Sequence, residues 1–331
     1  MKKSEKKLKK FLSPVSSNLS KTKEGVIEKL NFNKNNFITL REIIISISFI
    51  FIFILIIGGV YLFCEIRNNS EKIFVCGDGT FYDTCSLTKP YFCSYGKLVK
   101  KASVCGCSEL SRREGDNCIS EYQVNPKHIT LKYTLGGQED KINYIIYDGF
   151  YDYISKLSRF INYREVEKPS RKDFKLKVIN NEDQREMLMP LVIEIQNRAE
   201  NKKDQAKIAK SIVQNIPYKP SFDNVSFWKQ AISSRYPYEV LYDGAGICGE
   251  KSELLAFLLK ELDYGVAIFY FSEENHEAVG IKCPFFKDFR NTGYCFIETT
   301  EDYKIGNSKV LKTFDVTSTP EIILISDGES F

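Results

Sequence analysis

Three residues in the C-terminal half of the chain have the types and the order that thiol catalysis requires. Cys248 opens a stretch with helical periodicity, and His276 and Glu298 follow, each in an apolar run typical of a strand. A helix N-terminus and a neighbouring imidazolium both favour the nucleophilic thiolate over the thiol. A carboxylate can then hold the imidazole in one tautomer. The sequence therefore predicts a catalytic triad of Cys248, His276 and Glu298.

The surroundings of Cys248 suit the approach of a substrate carbonyl. Three glycines flank the thiol: Gly244, Gly246 and Gly249. Without side chains at these positions a carbonyl could come close to the backbone, and the first amides of the helix could donate to an oxyanion. A second oxyanion donor is not identified by the sequence, and Trp228 and Gln230 are the candidates for it.

The elements expected to position the triad follow from the spacing of apolar residues. Leucines recur at helical spacing after Cys248 as far as Leu262, and Gly265 occupies the place of a left-handed cap. Three apolar runs predict strands: 266–271, 278–282 and 296–297. Upstream, a strand or two with a turn and a short helix are expected within 129–160, and helix is expected over 184–214. The fold class predicted from residue 125 onward is α+β, with helices packed on an antiparallel sheet.

Two cysteines lie close to the predicted His and Glu strands. Side chains alternate across a strand, so Cys283 and Cys295 are expected on the face opposite His276 and Glu298, where they could form a disulfide. A strict hairpin register does not align both pairs at once. A bulge or an irregular end near Pro284 is therefore expected.

Segments around all three triad residues resemble those of a known family. The stretch from Tyr236 to Leu262 resembles the nucleophile segment of the transglutaminase-like superfamily. The runs His276-Glu-Ala-Val-Gly-Ile-Lys282 and Tyr294-Cys-Phe-Ile-Glu298-Thr-Thr300 are similar to its histidine and acid strands. Residues 208–218 are similar to the helix that precedes this domain in prokaryotic members. The resemblance implies a papain/transglutaminase-like core, with the Cys helix packed on an antiparallel sheet.

The resemblance implies acyl transfer by a thiol enzyme, and it leaves the acceptor open. A cysteine peptidase or amidohydrolase acting on protein or peptide substrates is favoured, because water needs no second substrate site. One alternative is a protein-glutamine transamidase that makes crosslinks. The other is a non-catalytic cell-surface binding protein with a transglutaminase-like scaffold. No cofactor or metal site is expected, and His128, in a polar stretch, is expected to be a surface residue.

The N-terminal part predicts a membrane anchor. Residues 1–42 carry eleven Lys or Arg against four Glu and are expected to form a disordered tail. The 21 residues from Ile43 to Phe63 contain no charge and predict one transmembrane helix. The positive-inside rule places the tail in the cytoplasm and the remainder outside. Since the positive charge belongs to the tail, the globular part is not expected to bind nucleic acid.

A cysteine-rich segment is expected between the anchor and the predicted α+β domain of residues 125–331. Besides Cys64, six cysteines occur within the predicted module of residues 64–124: Cys76, Cys85, Cys93, Cys105, Cys107 and Cys118. Three disulfides of unknown connectivity are favoured in an extracytoplasmic segment that is poor in core-forming residues, with a zinc site as the alternative. If Cys283 pairs with Cys295, Cys64 and Cys248 are left over. Cys64 could stay free, be acylated or link two chains in a dimer.

Overall fold

The computed structural model describes residues 36–68, 74–109, 111–164, 167–219, 234–313 and 315–331. The chain divides into two compact units, Met1–Lys72 and Ile73–Phe331. The first unit contains the 33-residue helix α1 (Asn36–Asn68), which begins ahead of the predicted boundary at Ile43. Its described side chains, those of residues 43–59, are exposed. Within the part of the chain that is described, no helix is both long and apolar enough to cross a membrane.

Several predictions for the N-terminal part fall on residues that are not described. The predicted span continues to Phe63, but side chains are described only as far as residue 59. The side chain of Cys64, the candidate for a link between chains, also lies outside the described set, and so do residues 1–35 of the tail.

The second unit is an α+β structure. Its elements in chain order are β1 (Tyr91–Ser94), β2 (Lys97–Lys100), α2 (Ala102–Cys105), β3 (Arg112–Glu114), β4 (Asn117–Ile119), β5 (Pro126–Leu135), β6 (Gln138–Tyr147), α3 (Asp148–Ile154), α4 (Arg171–Ile179), α5 (Glu182–Arg198), α6 (Lys202–Gln214), α7 (Pro237–Asp243), α8 (Cys248–Glu261), β7 (Val266–Phe271), β8 (His276–Lys282), β9 (Tyr294–Ile297) and β10 (Glu321–Ser326). The described strands of the main sheet are antiparallel, in the order β10-β7-β8-β9. The other described strands form three two-stranded sheets.

The main sheet is covered on both faces, which explains why all six residues of β7 are buried. Helix α8 packs on β7 and β8 and contributes its leucines to the larger apolar cluster, with Ile268, Val279 and Ile297 from the sheet. A second cluster on the other face contains Phe269, Ala278 and Phe296, among others. Such burial is the main source of stability in a domain of this size.

The cysteine-rich segment packs on helix α5 within the same compact unit. Its six cysteines form three disulfides, Cys76–Cys93, Cys85–Cys105 and Cys107–Cys118, which confirms the prediction of a disulfide-stapled segment. The Leu98 N–H donates to Asn197 Oδ1 at 2.8 Å, and Asn197 Nδ2 donates back to the Leu98 carbonyl at 3.0 Å. A side chain at Gly77 would overlap the backbone of Gln196, so only glycine allows this approach.

Two details of the predicted elements differ in the structure. Helix α8 is followed by a left-handed residue at Asp263, with φ of 65°, and not at Gly265. Gly265 is needed for a different reason, because a Cβ there would lie 2.9 Å from the Lys282 Cβ. Strand β10 was not predicted, and it pairs with β7 at the edge of the sheet. Its residues alternate between exposed and buried near Ile323, a pattern too short to stand out in the sequence.

Candidate active site

Cys248 is the first residue of helix α8, and the backbone before it is fixed from two sides. Helix α7 ends at Gly244, whose φ of 62° is left-handed and suits glycine. The next residues pair with the stretch that follows α6: the Gly246 N–H donates to Pro217 O at 3.1 Å, and the Lys219 N–H donates to Gly246 O at 3.2 Å. This pairing fixes the backbone that leads to the thiol.

The start of helix α8 is held by a buried carboxylate. Glu250 Oε2 accepts from the backbone N–H of Ile247 at 3.0 Å, which satisfies one of the amides at a helix N-terminus. The guanidinium of Arg235 donates to the same oxygen at 2.8 Å and neutralises the charge. The amides of Cys248 and Gly249 belong to the first turn, where no intrahelical acceptor exists. They are therefore available to a negatively charged group at this end of the helix.

His276 is the first residue of β8 and is hydrogen-bonded to Glu298, the residue after β9. The distance from His276 Nε2 to Glu298 Oε2 is 3.0 Å. The second carboxylate oxygen accepts from the Thr299 N–H at 2.9 Å, the Thr300 N–H at 3.0 Å and the Thr300 hydroxyl at 2.8 Å. Burial raises the pKa of Glu298, but the bonds from His276 and Thr300 outweigh it and hold the pKa below its ordinary value. The carboxylate is therefore ionised and fixed in orientation.

The imidazole of His276 is placed between an acid and a thiol. Because Nε2 faces Glu298, Nδ1 is the ring nitrogen that remains for Cys248. Burial lowers the pKa of His276, but its hydrogen bonds to Cys248 and Glu298 and their charges raise it to about 10. An imidazolium at neutral pH is the species that favours ionisation of a neighbouring thiol.

A buried lysine and a buried glutamine connect helix α6 to the two sides of the site. Lys251 Nζ, one turn after Cys248, donates to Ile216 O at 2.6 Å and to Gln214 O at 3.4 Å, and so caps the C-terminal end of α6. The side chain of Gln214 donates to the backbone carbonyl of Glu298 at 2.7 Å. Burial lowers the pKa of Lys251 to about 8 despite the nearby charges of Glu298 and Cys248. The end of α6 thereby fixes the distance between the nucleophile helix and the acid.

Cys248 and His276 both line one cavity of about 470 Å³. The side chain of Cys248 is a free thiol and is 8% exposed. The cavity is lined by Tyr218, Cys248, Glu274, Asn275, His276, Thr300, Glu301 and Val316. A group that enters this cavity can therefore reach both the thiol and the imidazole.

The Cys283–Cys295 disulfide forms as predicted, but without a bulge between β8 and β9. The regular register pairs Ile281 with Cys295 and Val279 with Ile297. Cys283 is thus displaced by two residues from the position opposite Cys295, and His276 is displaced by two residues in the other direction from the position opposite Glu298. Both pairs are diagonal neighbours, which long side chains and disulfides span without a register shift. The expected bulge is therefore absent, whereas β8 ends at Lys282 and a 3-10 turn follows Pro284.

The disulfide lies on the face of the sheet opposite His276 and Glu298, as the alternation predicted. Cys283 and Cys295 belong to the apolar cluster on the α8 side. Ala278 and Phe296, which share the parity of His276 and Glu298, belong to the other cluster. The disulfide therefore holds together the hairpin that carries the histidine and the acid without entering the cavity.

The supporting polar residues were not identified from the sequence, although some left a signal. Glu250 stands three residues after the N-cap position, which is where a capping carboxylate is expected. Arg235, Gln214 and Thr300 lie in polar or mixed stretches and gave no signal. Trp228 and Gln230, the candidate oxyanion donors, lie outside the described residues. His128 is exposed on β5, as predicted.

Comparison with known proteins gives only remote likenesses. No family model matches the chain, and no curated protein matches it. Among solved structures, Legionella pneumophila LapG aligns at a TM-score of 0.25 and 14% identity, over 40% of this chain and 75% of LapG. A candidate protease from Parabacteroides distasonis aligns at a TM-score of 0.28 and 12% identity, over 54% of this chain and 37% of its own. Scores this low carry no argument about fold or chemistry, so the functional argument depends on the site itself.

Proposed function

We propose that the protein is a thiol acyl-transfer enzyme of the transglutaminase-like type that hydrolyses amide bonds in protein or peptide substrates. One observation carries the proposal: a free thiol at a helix N-terminus shares a cavity with an imidazole that a buried carboxylate holds at 3.0 Å. These are the nucleophile, the base and the orienting group that covalent acyl transfer requires.

In the proposed reaction the Cys248 thiolate attacks the carbonyl carbon of the substrate amide. A C–S bond forms, and the electron pair of the carbonyl moves to oxygen. When the carbonyl re-forms, the C–N bond breaks and the His276 imidazolium gives its proton to the leaving amine. Neutral His276 then takes a proton from water, and the water oxygen forms a C–O bond to the thioester carbonyl carbon. When the carbonyl re-forms, the C–S bond breaks and the acid leaves, which restores the Cys248 thiolate and the His276 imidazolium.

Glu298 has a positioning role in this proposal. Its contact with Nε2 directs Nδ1 toward Cys248, and its charge stabilises the imidazolium that exists before and after each acyl transfer. An amine in place of water would give the transamidase outcome through the same steps. Hydrolysis remains the proposal because it needs no amine site.

The first test is selective alkylation of Cys248. We expect limiting iodoacetamide, applied to the non-reduced protein from about pH 5 to pH 9, to label Cys248 already at the acidic end. His276→Ala should abolish the labelling at low pH, because the imidazolium that favours ionisation of the thiol is then missing. His128→Ala, which changes the exposed second histidine, is the matched control and should behave as the wild type.

Slow labelling of Cys248 in the wild type, with no dependence on His276, would overturn the enzyme proposal. The result would favour the non-catalytic binding protein, in which the same fold serves as a scaffold. A positive result would justify a screen of peptide and glutamine substrates, with and without an added amine.

We also propose that the disulfide-bearing unit works outside the cytoplasm, attached to a membrane by its N-terminal part. Four disulfides support an oxidising compartment. The apolar side chains exposed along α1, from Ile43 to Ile57, support an apolar environment for that helix. In this proposal, alkaline carbonate leaves the protein in the membrane fraction, and protease added to intact protoplasts degrades the C-terminal unit. Release by carbonate, or protection from protease, would contradict it.

A further inference from the structure

Acyl transfer at Cys248 places a negative charge on the substrate oxygen, and this charge needs hydrogen-bond donors. The amides of the first turn of α8 supply donors from the backbone. Side-chain donors must come from the residues that line the cavity. Glu274 and Glu301 are carboxylates and Val316 is apolar, so these three donate nothing.

Among the described residues that line the cavity, three outside the reacting pair carry N–H or O–H groups. The hydroxyl of Thr300 already donates to Glu298 Oε1 at 2.8 Å, and therefore supports the acid. Asn275 directly precedes His276 in the turn between β7 and β8, so it is carried by the element that holds the base. The third residue is Tyr218.

Tyr218 is carried by the segment that fixes the nucleophile. It pairs with Gly246 in a parallel bridge, and the bonds from Gly246 to Pro217 and from Lys219 to Gly246 enclose it on both sides. Gly246 is two residues before Cys248, so the phenol and the thiol are positioned by the same short stretch. The oxygen of a substrate attached to Cys248 would lie near the amide of Cys248, and Tyr218 lines the same cavity as Cys248.

We infer that the hydroxyl of Tyr218 is the side-chain donor of the oxyanion hole. The hydroxyl donates a hydrogen bond to the substrate oxygen while the C–S bond forms, and keeps its proton. The bond shortens as charge develops and relaxes when the carbonyl re-forms and the amine leaves. Partial burial and the charges of Cys248 and Glu250 raise the pKa of Tyr218, so the phenol remains a donor at neutral pH. This role depends on the proposed function of Cys248.

The test compares two reactions of the same thiol. Alkylation by iodoacetamide needs the thiolate but forms no oxyanion at a carbonyl, whereas acylation by 4-nitrophenyl acetate passes through one. We expect Tyr218→Phe, in the full chain, to slow acylation of Cys248 by about 10- to 100-fold and to change the rate of alkylation by no more than about twofold. Tyr95→Phe, at a highly exposed tyrosine of the cysteine-rich segment, is the matched control and should change neither rate.

Four outcomes would overturn the inference. Equal slowing of both reactions in Tyr218→Phe would show that the phenol acts on the thiol and not on the oxyanion. Unchanged acylation in Tyr218→Phe, with slowed acylation in Asn275→Ala, would assign the donor to the turn before His276. Absence of activated alkylation in the wild type would overturn the proposed function together with the inference. Normal activated alkylation with unchanged acylation in Tyr218→Phe would overturn the inference alone.

Discussion

Two adjacent residues of β8, His276 and Glu277, belong to two different charged clusters, and each cluster includes a residue of helix α8. His276 contacts Cys248 at the start of the helix, and Glu298 completes that cluster. Glu277 faces the other side of the strand, where Lys175 links it to Glu253. We call the group of Cys248, His276 and Glu298, which reaches a cavity, the open cluster. The buried group of Lys175, Glu253 and Glu277 is the closed cluster.

The closed cluster is built around one ammonium group. Lys175 Nζ, on α4, donates to Glu253 Oε1 and to Glu277 Oε2, both at 2.7 Å. The three side chains are almost fully buried, and the other oxygen of each carboxylate has no hydrogen-bond partner among the described atoms. Burial raises the pKa of Glu253 to about 7, although Lys175 opposes the shift. One ammonium therefore does not fully compensate two buried carboxylates.

The difference between the clusters lies in solvent access and in spare hydrogen-bonding capacity. In the open cluster Glu298 has donors for both oxygens, and the thiol at the other end faces a cavity. In the closed cluster the two carboxylate oxygens without a donor are buried away from solvent, and the charges of the cluster join α4, α8 and β8. Charged residues on the same two elements can therefore serve chemistry where solvent and ligands reach them, and stability where they are buried.

Removing the ammonium of the closed cluster should have the largest effect on stability. Lys175→Met leaves two buried carboxylates without their cation, and we expect the free energy of unfolding to fall by about 3–5 kcal/mol. Urea denaturation of the disulfide-intact protein measures this change. The triple variant with Glu253→Gln and Glu277→Gln should recover much of the loss, because it removes the uncompensated charges. A loss below about 1 kcal/mol in Lys175→Met would show that this cluster does not depend on its pairing.

The open cluster should respond to the loss of its carboxylate through a pKa. Glu298→Gln removes the charge that helps to raise the pKa of His276 to about 10, and we expect that pKa to fall by at least about one unit, equivalent to about 1.4 kcal/mol. The raised pKa of His276 stabilises the folded protein fully below pH 6.5, and this stabilisation is lost as the pH rises toward 10. In the variant the stabilisation should be lost at a lower pH. Proton transfer to the leaving amine should fail at a lower pH for the same reason.

NMR titration of the histidine ring protons measures this shift. The chain has two histidines, and His128→Asn assigns the signals. Glu274→Gln is the matched control: Glu274 lines the same cavity, but its carboxylate accepts from Thr317 and Ser318. An unchanged pKa of His276 in Glu298→Gln would show that the contact at 3.0 Å does not influence the imidazole.

The two clusters also show what the sequence could reveal. The leucine periodicity predicted α8, and the apolar run 266–271 coincides with β7. The order of Cys248, His276 and Glu298 was informative because each begins or follows a regular element. Alternation along β8 and β9 placed the disulfide on the correct face. All of these signals depend on residues close together in the chain.

The parts that could not be predicted depend on distant residues. Lys175 meets Glu253 and Glu277 only after α4 packs against α8. In the sequence it stands between Phe174 and Leu176, and the other charged residues of α4 suggest an exposed helix. The bond from Gln214 to the backbone of Glu298 requires the end of α6 to reach the acid strand. The periodicity of apolar residues gives no information on contacts between distant residues. Buried charged residues were therefore not distinguished from solvated ones.

The smallest effect should come from removing the charge of Glu253 alone. Its pKa is raised from 4.5 to about 7, so the native protein holds a proton that the unfolded chain releases above pH 4.5. The stabilising contribution of this proton is complete below pH 4.5 and is lost as the pH rises to about 7. Because glutamine keeps the acceptor for Lys175 without the charge, the stability of Glu253→Gln should rise relative to the wild type by about 1 kcal/mol between pH 5 and pH 6.

The sign of that change can be tested against a carboxylate of the opposite kind. Hydrogen bonds from Ser318 and Thr317 lower the pKa of Glu274 to about 2, so its contribution is present above pH 4.5 and is lost as the pH falls toward 2. Thermal denaturation at a series of pH values should therefore show that the stability of Glu253→Gln relative to the wild type increases as the pH rises, whereas that of Glu274→Gln decreases. Parallel curves for Glu253→Gln and the wild type would mean that Lys175 keeps Glu253 ionised. The closed cluster would then be as well compensated as the open one.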